Sequence, residues 1–209
     1  MKKNGKISWL LIMVLPGIWQ GARSQEMQPY NPLVVSVFNN ATLLPGGGEL
    51  GVFGIPVHPG IALGTEFRYN KSQKNEWFQT VKLGYHYHRY VQHGLRFYSE
   101  IGYRRHFKGR LDVGPQLGVG YLQSIPAKQI FEWQPDETAY LRTGKAGRPQ
   151  FMATMALEVG YDISRSTEPP MRVFLAYQFY LQMPFVQEYV PLMPNTALHA
   201  GLSIPLTQN

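Results

Sequence analysis

Hydrophobic and polar residues alternate through most of the chain after residue 60. Residues 81–88 read Val-Lys-Leu-Gly-Tyr-His-Tyr-His, with large apolar or aromatic residues at the odd positions and polar residues or glycine between them. Because successive side chains of a strand point to opposite faces, this pattern predicts a β-strand with one apolar and one polar face. Residues 95–104, 111–121 and 154–162 repeat the pattern.

Four further segments bring the number of predicted strands to eight: 61–69, 171–181, 196–206 and a less regular 49–57. A tilted strand needs about 9–11 residues to cross a bilayer, and these segments have that length or more. No helical periodicity and no run of about 18 apolar residues follow residue 25. The sequence therefore predicts an all-β fold, an eight-stranded antiparallel up-and-down transmembrane β-barrel over residues 48–209.

The predicted connections fit this topology. Residues 123–149 and 183–195 are the two long connections, the fifth and the seventh in chain order. If both chain ends lie in the periplasm, the odd-numbered connections are extracellular, where long loops are typical. We expect residues 25–47, rich in Pro, Asn and Gly, to form a periplasmic lead-in. Within it, residues 33–38 could instead pair as an extra edge strand or enter the lumen.

The first residues have the layout of a secretory signal peptide. Lys2, Lys3 and Lys6 precede the apolar run 7–15, and small residues follow at Ala22 and Ser24. We therefore predict a signal peptide over residues 1–24, whose removal takes away four positive charges and no negative charge. The net charge then falls from +7 to +3. Since no block of Lys or Arg remains, we expect no nucleic-acid partner.

Composition favours a membrane barrel over a soluble one. Periodicity alone also allows a secreted lipocalin-like carrier with its apolar face inside. Charged residues make up 16 % of the chain, against about 25 % in a typical soluble protein. The polar face is rich in glycine, and aromatic residues lie toward the ends of the apolar face, as in the aromatic girdles of membrane barrels. We therefore expect the apolar face to contact outer-membrane lipid.

Two strand sequences resemble a known group of proteins. Glu-Ile-Gly-Tyr at 100–103 and Gly-Pro-Gln-Leu-Gly-Val-Gly-Tyr at 114–121, behind a signal peptide, look like the small outer-membrane β-barrels of Gram-negative bacteria. The likeness covers roughly residues 48–206 and is greatest to uncharacterised barrels of the Bacteroidota type. It implies an outer-membrane location and, because the glycine-tyrosine motif marks a fold, no particular activity.

The inward face carries charges of both signs. The interior of an eight-stranded barrel is just wide enough for its own side chains, and charges in a low-dielectric interior persist when they are paired. The sequence therefore predicts a salt-bridged plug, with a narrow channel as the alternative. The predicted lumen network consists of Glu66, Arg68, Lys82, Arg96, Glu100, Arg104, Asp112, Glu158, Asp162 and Arg172.

His86 and His88 are weak candidates for metal ligands. Residues i and i+2 of a strand share a face, and Glu100 or His106 on the next strand could complete a site. However, this strand offers no carboxylate to orient the histidines, as ligating histidines usually require. We therefore expect no metal and no other cofactor.

A lipid A-modifying enzyme is a further alternative. Catalysis by serine needs a base within about 3 Å, whereas His199 and Ser203, four residues apart on one strand, are separated by roughly 13 Å. Ser99 and Glu100 are neighbours and point to opposite faces. We therefore assign no catalytic residue and expect no enzymatic activity.

The two long connections are the predicted interaction sites. Residues 183–194 contain one charge and many apolar groups, which would form an exposed apolar patch if they were in contact with water. The barrel mouth, the other long loop, lipid headgroups or another outer-membrane protein could cover them. We expect a barrel that displays these loops to a partner or to surface lipid. The candidate contact residues are Phe131, Trp133, Phe185, Tyr189 and Leu192.

Overall fold

The computed structural model describes residues 31–43, 57–70, 72, 74–89, 92–127, 130–134, 139–143, 147–163, 171–184 and 191–206. Within these ranges no helix is long and apolar enough to cross a bilayer. The secondary structure consists of strands β1 (Leu33–Thr42), β2 (Pro59–Arg68), β3 (Asn75–Tyr87), β4 (Gln92–His106), β5 (Leu111–Pro126), β6 (Ile130–Gln134), β7 (Ala139–Thr143), β8 (Arg148–Asp162), β9 (Arg172–Met183) and β10 (Met193–Ile204).

Eight of the strands close into a barrel in the order β1-β2-β3-β4-β5-β8-β9-β10, with β10 paired back to β1. All neighbouring pairs are antiparallel. Strands β6 and β7 form a separate two-stranded sheet within the connection between β5 and β8. The predicted all-β, eight-stranded up-and-down barrel is confirmed, and the β6–β7 hairpin is an addition that the alternation did not indicate.

The first barrel strand lies earlier than the sequence predicted. Strand β1 spans Leu33–Thr42, inside the segment expected to be a periplasmic lead-in, and pairs with both β2 and β10. The predicted strand 49–57 falls on residues outside the described ranges except for Val57, which is not in a strand. The barrel therefore begins before residue 48. The predicted signal peptide, residues 1–24, also lies outside the described ranges.

The reason for this difference lies in the inward residues of β1. Val34 and Phe38 point into the lumen together with Ser36 and Asn40. Val34 packs with Phe174 and Ala176, while Phe38 packs with Ala62 and Ala197. Because apolar residues occupy both faces of the strand, the period of two is blurred there.

The two ends of the barrel differ in the length of their connections. Residues 69–74, 107–110 and 163–171 connect strands at the end where β1 begins and β10 finishes, which we call the terminal end. Residues 43–58, 88–91, 127–147 and 184–192 connect strands at the opposite end, which we call the loop end. The two long connections predicted from the sequence both lie at the loop end, as does the first connection, which is longer than expected.

The outer face of the barrel is apolar. Leu83, Phe97 and Leu117 are exposed by 51 %, 55 % and 62 %, while their polar neighbours along the same strands point inward. An apolar face directed outward suits acyl chains and is the reverse of a lipocalin-like carrier. Aromatic residues mark the terminal end of this face, where the Trp77 and Tyr103 ring centroids lie 5.2 Å apart.

Large lumen side chains lie over glycines of the neighbouring strand. Phe78 is paired with Gly102, and a Cβ added to Gly102 would come within 2.4 Å of the Phe78 ring. Small and large residues thus alternate around the barrel, which lets bulky groups fill a narrow interior. Other such cross-strand pairs are Phe38–Gly60, Lys82–Gly64, Tyr98–Gly120, Glu100–Gly118, His86–Gly94 and Phe174–Gly201.

Candidate functional site in the barrel lumen

Arg104 is the centre of an ion-pair network near the terminal end. Its guanidinium makes two bonds of 2.8 Å to the carboxylate of Glu66 and lies 3.1 Å from Glu76 Oε1. It also approaches Glu158 Oε1 at 3.2 Å and Asp112 Oδ1 at 3.5 Å. The side chain is buried, and its Cζ lies 4.0 Å from the centroid of the Phe78 ring. One arginine thus joins carboxylates from four strands.

Arg172 closes this network on the other side of the lumen. Its Nη1 lies 2.8 Å from Glu158 Oε1, and its Nε donates to Asp112 Oδ2 at 2.7 Å. Asp162, also predicted to belong to the network, is half-buried at the end of β8 and is the cross-strand neighbour of Arg172. When a buried carboxylate accepts hydrogen bonds from two arginines, its oxygen atoms are hydrogen-bonded and its negative charge is balanced.

Glu76 and His106 complete the network, and Glu76 is not among the members predicted from the sequence. His106 Nε2 lies 2.9 Å from Glu76 Oε2, and Arg68 Nε approaches the same oxygen at 3.8 Å. Glu76 escaped notice because the predicted strand began at residue 81, whereas β3 begins at Asn75. Glu76 lies six residues before Lys82, and this even spacing places both side chains on the inward face of the strand. The spacing could have identified Glu76 from the sequence.

A second, smaller cluster occupies the middle of the barrel. Lys82 Nζ donates to Glu100 Oε2 at 3.0 Å, and both residues are buried. The other carboxylate oxygen of Glu100 accepts from Thr154 Oγ1 at 2.9 Å and from Gln178 Nε2 at 2.7 Å. Glu100 therefore has a cation and two neutral donors, and its hydrogen-bonding capacity is largely used.

Arg96 differs from the other predicted members of the network because, among the described residues, it has no carboxylate partner. It is fully buried and makes one hydrogen bond, 3.5 Å from Nη1 to Gln178 Oε1. Its Cζ lies 4.2 Å from the ring centroid of Phe38, 5.1 Å from that of Tyr180 and 5.7 Å from that of Tyr98. Aromatic faces thus surround a charge that was predicted to be in a salt bridge.

Amide side chains fill the lumen toward the loop end. Gln92 and Gln182 exchange two hydrogen bonds of 3.1 Å, and Gln182 also donates to Gln150 Oε1 at 2.6 Å. Asn195 Nδ2 donates to Gln182 Oε1 at 3.4 Å. These residues are buried, so the amide cluster closes part of the lumen cross-section.

Four buried histidines occupy the remaining part of this end. The rings of His58 and His88 stack with their centroids 3.6 Å apart, and the His199 ring stacks on Phe38 at 4.5 Å. His86 is fully buried, and neither of its ring nitrogens has a hydrogen-bond partner in the described part of the chain. His88 follows the last residue of β3, and burial, with His58 beside it, lowers its pKa to about 4.

The weak metal candidates His86 and His88 both point into the lumen. The described residues contain no group of three or more His, Cys, Asp or Glu placed to hold a metal ion. The neighbours proposed from the sequence, Glu100 and His106, bond instead to Lys82 and Glu76.

The predicted loop contacts are only partly within the described structure. Leu192 is exposed by 48 % beside the start of β10. Phe131 and Trp133 belong to β6, where their backbone partners on β7 are Arg142 and Tyr140. Phe185 and Tyr189 lie outside the described residues.

No protein-family model and no curated protein matches the sequence. Among solved structures, Ail, the attachment invasion locus protein of Yersinia pestis, aligns with 86 % of this chain and 100 % of its own, at 8 % identity and a TM-score of 0.47. The outer membrane enzyme PagL aligns with 83 % of this chain and 99 % of its own, at 11 % identity and a TM-score of 0.47. Neisserial surface protein A aligns with 85 % of this chain and 96 % of its own, at 10 % identity and a TM-score of 0.44. The chain is similar to these proteins, and the likeness assigns none of their activities to it.

Proposed function

We propose that the protein is a non-enzymatic outer-membrane barrel of a Gram-negative bacterium, which anchors and displays binding loops at the cell surface. The apolar exterior supports a membrane location. The filled lumen supports an anchoring role, since ion pairs, aromatic rings and amides take up its interior from one end to the other. The resemblance to small Bacteroidota-type barrels agrees with this location.

The observation that carries the proposal is the β6–β7 hairpin. It lies within the 127–147 connection at the loop end, where it forms a sheet separate from the barrel. Phe131, Trp133, Tyr140 and Arg142 are paired across this hairpin. Aromatic residues and arginine are the types enriched at protein interfaces. The proposed partner is another outer-membrane protein or surface lipid that contacts this hairpin and the 184–192 connection.

The serine-histidine contact in the lumen supports the non-enzymatic assignment. Ser36 Oγ lies 3.2 Å from His199 Nδ1, and both residues are buried. The other ring nitrogen, His199 Nε2, has no hydrogen-bond partner among the residues that the structure describes. A serine nucleophile needs a base that a third group orients and a path for the substrate. Among the described residues, no third group bonds to His199 Nε2 to orient the ring, and the ring is stacked on Phe38 inside the lumen.

Replacing residues 128–146 by a short Gly-Ser linker tests the display function. We expect the variant to keep its heat-modifiable migration on gels, because the barrel pairs end at Ser124 and Arg148. We also expect it to lose the partner that the full chain enriches from native membranes, detected by cross-linking and mass spectrometry. The F131A/W133A variant should lose the same partner, while the Q134A/T143A variant serves as the matched control. An unchanged partner set in the linker variant would reject the proposal.

Planar-bilayer recordings separate the proposal from the channel alternative. A barrel whose lumen is filled by bonded side chains should give no discrete conductance steps at neutral pH. Reproducible steps that disappear on boiling the protein would favour a narrow channel instead.

A further inference from the structure

Arg96 is a buried charge that has no carboxylate within 4 Å in the described part of the chain. Arg104, Arg172 and Lys82 each contact at least one carboxylate within 4 Å, and Arg96 contacts none among the described residues. Burial of an unpaired charge is strongly unfavourable, since it gives up hydration without an opposite charge in return. The aromatic rings around it lower this cost and cannot neutralise the charge.

Two acceptors near Arg96 are already in use. Glu100 accepts from Lys82, Thr154 and Gln178. The Gln178 amide lies between the Glu100 carboxylate and Arg96 Nη1, so Arg96 is linked to this carboxylate only through a neutral side chain. Asn40 Oδ1 accepts from Tyr180 at 2.6 Å. The Nε and Nη2 atoms of Arg96 have no hydrogen-bond partner in the described lumen.

The groups without partners around Arg96 are imidazole nitrogens and the Tyr98 hydroxyl, and each of these side chains can supply a donor. The Phe38 ring lies 4.2 Å from the Arg96 guanidinium, 4.5 Å from the His199 ring and 6.3 Å from the His86 ring. His199 Nε2 and both nitrogens of His86 are buried without a partner. Each neutral imidazole offers one N–H group. A cation and two imidazoles therefore meet around one aromatic ring, with no carboxylate among the described residues at this level.

We propose that this part of the lumen, formed by Arg96, His86, His199 and Phe38, binds a small inorganic anion of the halide class. The anion would accept from the free N–H groups of Arg96 and from the imidazoles, and it would supply the missing negative charge. Its small size follows from the packing. A Cβ on Gly60 or Gly94 would come within 2.2 Å or 2.0 Å of the Phe38 or His86 ring, so the rings fill this level and exclude a ligand larger than a monatomic ion.

Stability measured against chloride concentration tests the site. The purified protein in detergent is heated at constant ionic strength while sodium gluconate is replaced by sodium chloride. A ligand that binds the folded state raises the unfolding temperature in a saturable way. We expect this rise for the wild type and for the R105M variant, which removes an exposed arginine next to the network. We expect no rise for the R96M variant. An equal rise in the R96M variant would overturn the proposal.

Crystals of the wild type grown in sodium bromide provide a second measurement that does not depend on a variant folding. Bromide scatters X-rays anomalously, so a bound ion is located directly. We expect an anomalous peak within hydrogen-bonding distance of Arg96 Nε or Nη2. Electron density at this position without an anomalous signal would indicate an ordered water and would overturn the proposal. Bromide found only on the protein surface would also overturn it.

Discussion

At the scale of single residues, a few arginines organise the lumen. Arg104 contacts four carboxylates and one aromatic ring, while Arg96 contacts three aromatic rings and one amide. Two arginines on the same strand with the same inward parity therefore have opposite surroundings. The first, with Arg172 and Arg68, offsets the negative charge of the carboxylates near the terminal end, and the second leaves a positive charge toward the loop end.

The R104M variant tests the role of the first arginine. Loss of the guanidinium leaves Glu66, Glu76 and Glu158 close together without their shared cation. Removing one partner of a buried ion pair typically costs about 3–5 kcal/mol, and we expect a loss of this size in the free energy of unfolding. Urea titration in lipid vesicles measures it.

Arg105 provides the matched control for this prediction. It is the next residue, and its exposed side chain points outward. We expect the R105M variant to stay within about 0.5 kcal/mol of the wild type, as for most surface changes. If the R104M variant unfolds as the R105M variant does, the ion-pair network does not stabilise the barrel.

Inward orientation could be predicted from the sequence, and the partners of each inward residue could not. Parity along a strand places Arg96, Glu100 and Arg104 on one face without further information. Which carboxylate meets which arginine depends on the stagger between strands, and this is set by closure of the barrel. The contact of Arg104 with Glu66 on β2, two strands away, depends on the registers of the β2–β3 and β3–β4 pairs.

At the scale of elements, the strands differ in how clearly their sequences identify them. Strands β3, β4 and β5 have apolar residues on one face and polar residues or glycine on the other. The period of two was sufficient to predict these three strands. Strand β1 buries Val34 and Phe38 in the lumen, so its first six residues, 33–38, form an almost continuous apolar run. Such runs do not identify a strand by periodicity.

Truncation of the chain tests the assignment of β1. A chain that begins at residue 48 lacks the strand that joins β2 to β10 and would leave two open edges. We expect this chain not to reach the heat-modifiable folded form, because unpaired backbone groups in the bilayer are strongly unfavourable.

A chain that begins at residue 31 keeps β1 and is the control. It should fold, and it should migrate on gels like the chain that lacks only the predicted signal peptide. Equal folding of the two truncated chains would show that β1 is not required for closure, and that another segment takes its place.

At the scale of the whole molecule, the polar groups of the lumen change along the barrel axis. Among the described residues, an ion-pair network lies near the terminal end, the Lys82–Glu100 pair lies in the middle, and the stacked histidines and the glutamine cluster lie toward the loop end. The composition of the chain indicated a polar lumen and an apolar exterior. It did not indicate this order, because the order depends on where each strand starts relative to its neighbours.

Single-cysteine labelling tests whether the apolar face of the barrel contacts lipid. The chain has no native cysteine, so a spin label can be placed at Leu83, Phe97 or Leu117 on the outer face and at the exposed Lys108 in the turn between β4 and β5. In lipid vesicles, we predict that labels at the three outer sites collide with dissolved oxygen and are shielded from a water-soluble nickel complex. The label at Lys108 should collide freely with the nickel complex. Outer-site labels that collide freely with the nickel complex would contradict the account and place these side chains in water.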